Sequence, residues 1–174
     1  MRAVWISGGL LLGIGLALTA SFPSNAKDAR TADQDYAAKL WGALEKNGLA
    51  GASARPGPPK PAKEPHGPAA TTTVSEVKVG DHTGKVAVQH VYGDTGTSLN
   101  EIAKDPGKHL KAVNVMVKRT PGHDPEHGDW MWVSYDPKGK TTVPKGAKPV
   151  GTTVSPCSDC HAQQKGQDYL FHRQ

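Results

Sequence analysis

The sequence predicts a mainly β (α+β) protein: an antiparallel β-sheet domain with an N-terminal helix, short connecting helices and a C-terminal segment that holds both cysteines. From residue 71 onward, apolar and polar residues alternate with a period of two, which is typical of half-buried strands. Before them, residues 31–47 repeat apolar side chains every three to five positions, which predicts a helix. Glycine and proline are frequent, with 20 and 14 among 174 residues, which indicates many turns.

The first 26 residues have the pattern of a secretory signal peptide. Arg2 is followed by an apolar run over residues 4–22, and the small residues Ser24 to Ala26 precede the expected cleavage point. We therefore expect an exported, periplasmic protein whose mature chain begins at Lys27. An uncleaved membrane anchor through residues 4–22 is the alternative, because that run is about long enough to span a bilayer.

Residues 27–50 are expected to hold the N-terminal helix, with Gly48 suited to a C-cap. The apolar residues of this helix share one face that can lie on the following domain: Tyr36, Leu40, Trp41 and Leu44. The next segment, residues 51–68, contains six prolines. Such a composition excludes regular structure and favours an extended linker.

Residues 69–174 are expected to form one β-rich domain. Four stretches have the period of strands: residues 71–79, 85–92, 112–119 and 130–135. After the last of these, Asp136 to Gly139 have the chemistry of a hairpin turn. Between the second and third strands, Ser98 and Glu101 form a capping box that opens a short helix, which Asp105-Pro106 ends.

The C-terminal segment contains Cys157-Ser158-Asp159-Cys160-His161, which follows the pattern C-x-x-C-H. Two thiols at this spacing can each form a thioether with one haem, and the adjacent histidine can ligate the iron. A redox dithiol, a structural disulfide and half of a zinc site are the alternatives. A zinc site needs two more soft ligands, but the chain has only 2 cysteines. The motif predicts one covalently attached haem c.

The charge balance bears on the partners of the protein. A formal net charge of +5 and a sequence pI of about 9.2 predict a moderately basic surface. Because no basic run is interleaved with aromatic residues, nucleic acid is not an expected partner. For an exported protein, this surface favours acidic partner proteins or anionic surfaces over nucleic acid, and we expect a redox partner protein, for which an acidic surface would suit.

Several stretches occur in an order that is shared with a known family: Lys63 to Gly67, Val115 to Lys118, Gly128 to Trp132 with Tyr135 and Gly139, Cys157 to His161, and Asp168 to Phe171. On these stretches the chain resembles cytochrome P-460 and the related cytochrome c′-beta. The resemblance implies a single c-type haem on an antiparallel β domain, commonly in a homodimer, with His161 as the proximal ligand. It also implies a distal side that is open to small molecules such as nitric oxide or hydroxylamine.

One departure from the family concerns a lysine that bonds covalently to the haem ring in cytochrome P-460. Pairing the tyrosine of that family strand with Tyr92 places Gln89 at the position of the lysine, and glutamine cannot form the bond. Lys85 lies on the same strand face, but four residues along a strand span about 13 Å. The departure implies an ordinary c-type haem and counts against hydroxylamine oxidation.

Five residues are candidates for the distal side or the walls of the haem pocket: Gln89, His90, Met116, Trp130 and Trp132. A methionine could be a sixth ligand, but the surrounding apolar residues favour core packing for both Met116 and Met131. His90 shares a strand face with Val86 and Val88, which favours a core histidine over a distal one. For His66, a structural hydrogen bond is favoured.

Three functional classes remain open at this point. The favoured class is a five-coordinate cytochrome that binds a small gaseous or nitrogen-oxide ligand or transfers electrons. The second is an enzyme that oxidises hydroxylamine, which requires a proton acceptor above an open iron. The third is a six-coordinate electron shuttle.

Overall fold

The computed structural model describes residues 26–143, 150–151 and 157–171. Helices in these ranges are α1 (Ala26–Lys46), α2 (Leu99–Lys104), α3 (Pro106–His109) and α4 (Cys157–His161), with 3-10 helices at Pro125–His127 and Ala162–Gln167. The strands are β1 (Lys60–Pro61), β2 (Ala69–Val79), β3 (His82–Tyr92), β4 (Leu110–Lys118), β5 (Trp130–Tyr135) and β6 (Thr141–Thr142). Apart from Ala26, the predicted signal peptide lies outside the described residues. Within those residues, no helix is long and apolar enough to cross a membrane.

The strands form one antiparallel sheet in which each strand pairs with its neighbours in sequence, in the order β1-β2-β3-β4-β5-β6. Tight turns make this order possible. Gly80 and Asp81 join β2 to β3, and Gly80 takes a φ of 62°, which glycine adopts without the strain that a Cβ atom would add. This architecture confirms the predicted mainly β (α+β) fold class.

Helix α1 covers one face of the sheet, which we call the helix face. Leu40 and Leu44 are fully buried in the core that the helix shares with the strands. The ring of Trp41 lies 4.9 Å from that of Tyr135, and the Tyr135 hydroxyl donates to the carbonyl oxygen of Ala37 at 2.7 Å. Since burying one leucine side chain contributes about 1.5–3 kcal/mol, the helix is a stabilising part of this core.

The central strands send alternate residues to the two faces of the sheet, as the period of two predicts. On the helix face lie mainly valines, together with one methionine: Val86, Val88, Val113, Val115, Val117, Val133 and Met131. The opposite face, which we call the site face, carries a separate apolar cluster that includes Ala87, Met116, Trp130 and Trp132. The two methionines therefore differ, because Met131 packs in the core and Met116 belongs to the site face.

Residues 60–68, the second half of the segment predicted as a linker, are folded against the sheet. Strand β1 pairs with Ala69 and Ala70 at the start of β2. The amide of Ala62 donates to the carbonyl oxygen of Pro68 at 3.1 Å, which closes the loop between the two strands. Proline limits β1 to a short edge strand, because Pro61 has no amide to donate. The segment is thus a closed loop at one end of the sheet.

His90 is a buried histidine of the helix face. It is 4 % exposed, its ring lies 6.4 Å from the ring of Tyr92, and neither ring nitrogen has a hydrogen-bond partner among the described residues. Burial lowers the pKa of His90, so the ring is neutral at pH 7. Because strand alternation directs His90 away from the site face, the structure does not support its distal role. The sequence had favoured this core placement over the distal role.

Candidate haem site

Helix α4 presents the C-x-x-C-H residues to the site face. Cys157 is half-buried and packs with Leu170 against the apolar cluster of that face, whose buried members are Ala87, Met116, Trp130, Trp132 and Tyr169. Cys160 is exposed, and the two thiols are not bonded to each other. Within the described ranges, no group of three or more His, Cys, Asp or Glu side chains is arranged to hold a metal ion directly.

His161, the last residue of α4, is oriented by one strong hydrogen bond. Its Nδ1 atom lies 2.7 Å from the carbonyl oxygen of Tyr169. A carbonyl oxygen can only accept, so Nδ1 carries the proton and Nε2 keeps its lone pair free for a metal. The rings of Trp132 and Phe171 flank the imidazole at 4.9 Å and 5.0 Å. Burial lowers the pKa of His161, and the bond to Tyr169 offsets part of that effect.

The acceptor of this bond lies in an unusual corner of the backbone. Asp168 and Tyr169 both have positive φ values, 55° and 63°, which non-glycine residues adopt only when the surroundings hold them there. The Tyr169 ring is 3 % exposed and its hydroxyl donates to the carbonyl oxygen of Glu126 at 2.9 Å. A Cβ atom on Gly128 would lie 2.8 Å from this ring, so the close packing needs glycine there.

The Asp168 carboxylate ties this corner to the sheet. It pairs with Lys85 at 2.8 Å and with Lys118 at 2.5 Å. The indole nitrogen of Trp130 donates to the carbonyl oxygen of Asp168 at 3.1 Å. Burial raises the pKa of Asp168, but the hydrogen bonds and the positive charges of Lys118 and Lys85 together lower it by more, so the net shift is downward. The carboxylate is therefore ionised at pH 7 and connects β3, β4 and β5 to the C-terminal segment.

A row of polar side chains crosses the site face beyond the aromatic cluster. The Gln89 amide nitrogen donates to the Thr72 hydroxyl at 3.3 Å, and the Ser134 hydroxyl donates to the Asn114 side-chain oxygen at 2.8 Å. The Gln89 side-chain oxygen and the indole nitrogen of Trp132 are buried and have no hydrogen-bond partner among the described residues. Burying such atoms without partners costs free energy, so both are suited to a ligand with polar groups.

These residues fit a haem. Two thiols lie on one helical turn, and a histidine with a free Nε2 follows them directly. A wall of buried aromatic side chains matches an apolar ring, and two unpaired polar atoms match polar groups at its edge. Of the predicted candidates, the structure brings Gln89, Met116, Trp130 and Trp132 to this face.

The structure also brings in His66, for which the sequence favoured only a structural hydrogen bond. The ring centroids of His66 and His161 are 6.4 Å apart and the ring planes are nearly perpendicular, at 85°. The stretch Lys63 to Gly67 was part of the family resemblance, and this is the one sequence signal that pointed to the loop. The proximity of His66 to His161 could not be predicted, because residues 67–160 of the chain separate the two.

An antiparallel sheet with C-x-x-C-H on a short helix against its aromatic face defines a haem-binding protein of the c type. The family model for Cytochrome P460 matches residues 68–172, more than half of the chain. The chain therefore belongs to the cytochrome P460 family, as the resemblance predicted, and is a cytochrome with a c-type haem. Comparisons with curated proteins and with solved structures gave no significant match.

Proposed function

We propose that Cys157 and Cys160 hold one haem through two thioethers and that His161 is an axial ligand of its iron. The observation that carries this proposal is the 2.7 Å hydrogen bond from Nδ1 of His161 to Tyr169, because it leaves Nε2 for the iron. When bound, the haem supplies a one-electron redox centre and a binding position for small ligands. The chain itself orients the imidazole, and the buried side chains of Trp130 and Trp132 would give the haem an apolar surface from which water is excluded.

The physiological role that we propose is electron transfer or the binding of small nitrogen-oxide ligands such as nitric oxide, in the periplasm. The signal-like pattern of residues 1–26 supports export, and haem is attached to C-x-x-C-H in bacteria outside the cytoplasmic membrane. The net charge of +5 supports an acidic redox partner. The family resemblance supports a homodimer.

Covalent attachment is testable by extraction of the denatured protein. Wild-type haem should stay with the protein through acid–acetone treatment, because thioethers survive the loss of the fold. In the double variant Cys157→Ala/Cys160→Ala, essentially all of the haem should extract. Each single variant is the matched control, since one thioether remains and part of the haem should be retained. Clean extraction from the wild type would refute the attachment.

A second candidate function is the oxidation of hydroxylamine, and the lysines of the site favour it. The resemblance links this activity to a lysine bonded to the haem ring, which Gln89 cannot supply. The structure nevertheless brings the amines of Lys85 and Lys118 to the site face, where both pair with Asp168. Lys118 is better placed, because it is the less exposed of the two and its Nζ atom lies 4.7 Å from the centroid of the Trp130 ring.

Peptide mapping of the holoprotein separates the two candidates. For the first, we expect haem on the peptide that contains Cys157 and Cys160 and on no other segment, together with an ordinary c-type spectrum. A haem peptide that also contains Lys118 would favour the second candidate, the oxidation of hydroxylamine. This crosslinked peptide should then be absent from Lys118→Arg and present in Lys85→Arg. Arginine is the suitable replacement because it keeps the charge opposite Asp168.

A further inference from the structure

The outer edge of strand β2 is open over most of its length. Strand β1 pairs only with Ala69 and Ala70, so residues 71–79 have no neighbouring strand on that side among the described residues. The opposite edge of the sheet differs, because β6 and Gly151 pair with much of β5. We propose that two copies of this chain pair antiparallel along residues 71–79, so that one sheet continues across a homodimer. The proposal rests on the proposed homodimer and names its interface.

The backbone groups at this edge belong to residues of even number. In an antiparallel ladder each residue directs its amide and carbonyl groups to one neighbouring strand, and the direction alternates along the chain. The amide of Ala62, next to β1, donates to the carbonyl oxygen of Pro68 at 3.1 Å, so even-numbered residues here face outward. The β2–β3 register runs from Ala69 to Val79 without a bulge, so this alternation holds along the strand. The edge groups are therefore those of Thr72, Val74, Glu76 and Lys78.

The composition of this edge is suited to pairing with another strand. Residues 71–79 are mainly threonine and valine, which favour strands, and they include no proline or glycine. No backbone hydrogen bond connects the edge amides to a described residue outside the sheet. Val74 is 55 % exposed, although Ala87, its neighbour across the β2–β3 ladder, is only 6 % exposed. A long edge with these properties is a site to which a further strand can add.

The edge is complementary to itself, which selects a second copy as the added strand. A two-fold axis at Ser75 overlaps residues 71–79 of both copies and places the edge amides of each strand opposite carbonyl oxygens of the other. Glu76 then faces Val74 of the second copy, so no like charges are opposed. An axis at Glu76 would oppose two carboxylates, which is destabilising. An axis at Val74 or Val77 would shorten the overlap, so the axis at Ser75 is favoured.

This pairing has a consequence for the two haem sites of the dimer. Directly opposite residues of an antiparallel pair point to the same face of the sheet. Both site faces would therefore lie on one side of the joined sheet, and both α1 helices on the other side. Thr72, whose hydroxyl accepts from the Gln89 amide at 3.3 Å, would take part in the pairing. Dimerisation would thus order the strand next to Gln89 and leave the site face uncovered.

A proline at the edge tests the interface in the intact haem protein. Val74→Pro removes an amide that points away from β3, so the β2–β3 ladder keeps its hydrogen bonds. The dissociation constant of the dimer, measured by analytical ultracentrifugation, should rise by about tenfold or more, because each copy loses one amide of the interface. Val74→Thr keeps the amide and is the matched control. A dimer that Val74→Pro leaves intact would overturn the interface, whereas a monomeric wild type would remove the homodimer itself.

Cysteine crosslinking tests the register without weakening the strand. The two copies of Ser75 form a pair without mutual hydrogen bonds, whose Cα atoms lie about 4.5 Å apart, within the range of a disulfide. Ser75→Cys should therefore give a covalent dimer on mild oxidation. The two copies of Thr73 are offset by four residues, about 13 Å along the strand, so Thr73→Cys should not crosslink. No crosslink in Ser75→Cys would overturn the proposal. Failure of the haem proposal looks different, because the dimer would then contain no covalent haem.

Discussion

Replacing His161 with alanine is expected to remove the proposed axial bond while the two proposed thioethers keep the haem on the chain. The variant should carry covalent haem in wild-type yield or slightly below it, but its absorption spectrum should change. Its reduction potential should shift by about 60 mV or more, which corresponds to a tenfold change in the relative stability of the two oxidation states. A potentiometric titration that is followed by absorption measures both the spectral change and the reduction potential.

The same variant has an internal control in free imidazole, which should enter the space left by the side chain and restore the spectrum. His109→Ala, at the end of α3, serves as the histidine control and should leave the potential unchanged. An unaltered spectrum in His161→Ala would mean that a different residue binds the iron in the wild type. Among the described residues, His66 is another histidine whose ring lies close to His161. A changed spectrum in the double variant His66→Ala/His161→Ala would then identify His66 as the residue that binds the iron.

The sheet could be predicted from sequence because its strands alternate strictly. Residues 130–135 were predicted with the observed bounds, and the predicted strand over residues 71–79 starts two residues later than β2. The difference at the start of β2 has a physical reason. Ala69 and Ala70 are held by pairing with β1, and the proline in that strand, taken alone, argues against a strand there. Local pattern cannot reveal a pairing of this kind.

The grouping of the proposed haem-attachment residues could also be predicted, because C-x-x-C-H places two thiols and an imidazole together by local geometry alone. The surroundings of His161 could not. Tyr169 contributes a backbone oxygen, which has no residue-type signature, and Asp168 acts through lysines on two different strands. His90 was kept as a pocket candidate, although its alternation with Val86 and Val88 already favoured a core histidine, and it is buried on the helix face.

Asp168→Ala is expected to loosen the corner that supplies the acceptor for His161. The variant loses the pairs with Lys85 and Lys118. Charge-assisted hydrogen bonds contribute about 1.5–3 kcal/mol each when buried, but the Asp168 side chain is 35 % exposed. Solvent screening reduces the expected loss in the free energy of unfolding to about 1–2 kcal/mol. Asp94→Ala, which breaks the exposed pair with Lys111, is the matched control and should cost about 0.5 kcal/mol or less.

A positioning role for Asp168 predicts an effect on the haem as well as on stability. If the Tyr169 carbonyl moves away, Nδ1 of His161 loses hydrogen-bond strength and the imidazole becomes a poorer electron donor. Ferric iron is then less stabilised, so the reduction potential of Asp168→Ala should rise and the iron–histidine stretching frequency should fall. Asp94→Ala should change neither. A loss of stability with an unchanged potential and frequency would restrict Asp168 to a structural role.

The pH dependence of the free energy of unfolding tests whether the ionised Asp168 carboxylate stabilises the folded protein. Because the net pKa shift of Asp168 in the folded protein is downward, its stabilisation is fully present above the ordinary aspartate pKa of about 4. It is lost as the pH falls through the lowered folded value. Denaturant unfolding of the wild type should therefore show an additional loss of stability below about pH 4 that Asp168→Asn lacks. Parallel pH profiles for the two proteins would show that the lysine pairs do not lower the pKa of Asp168.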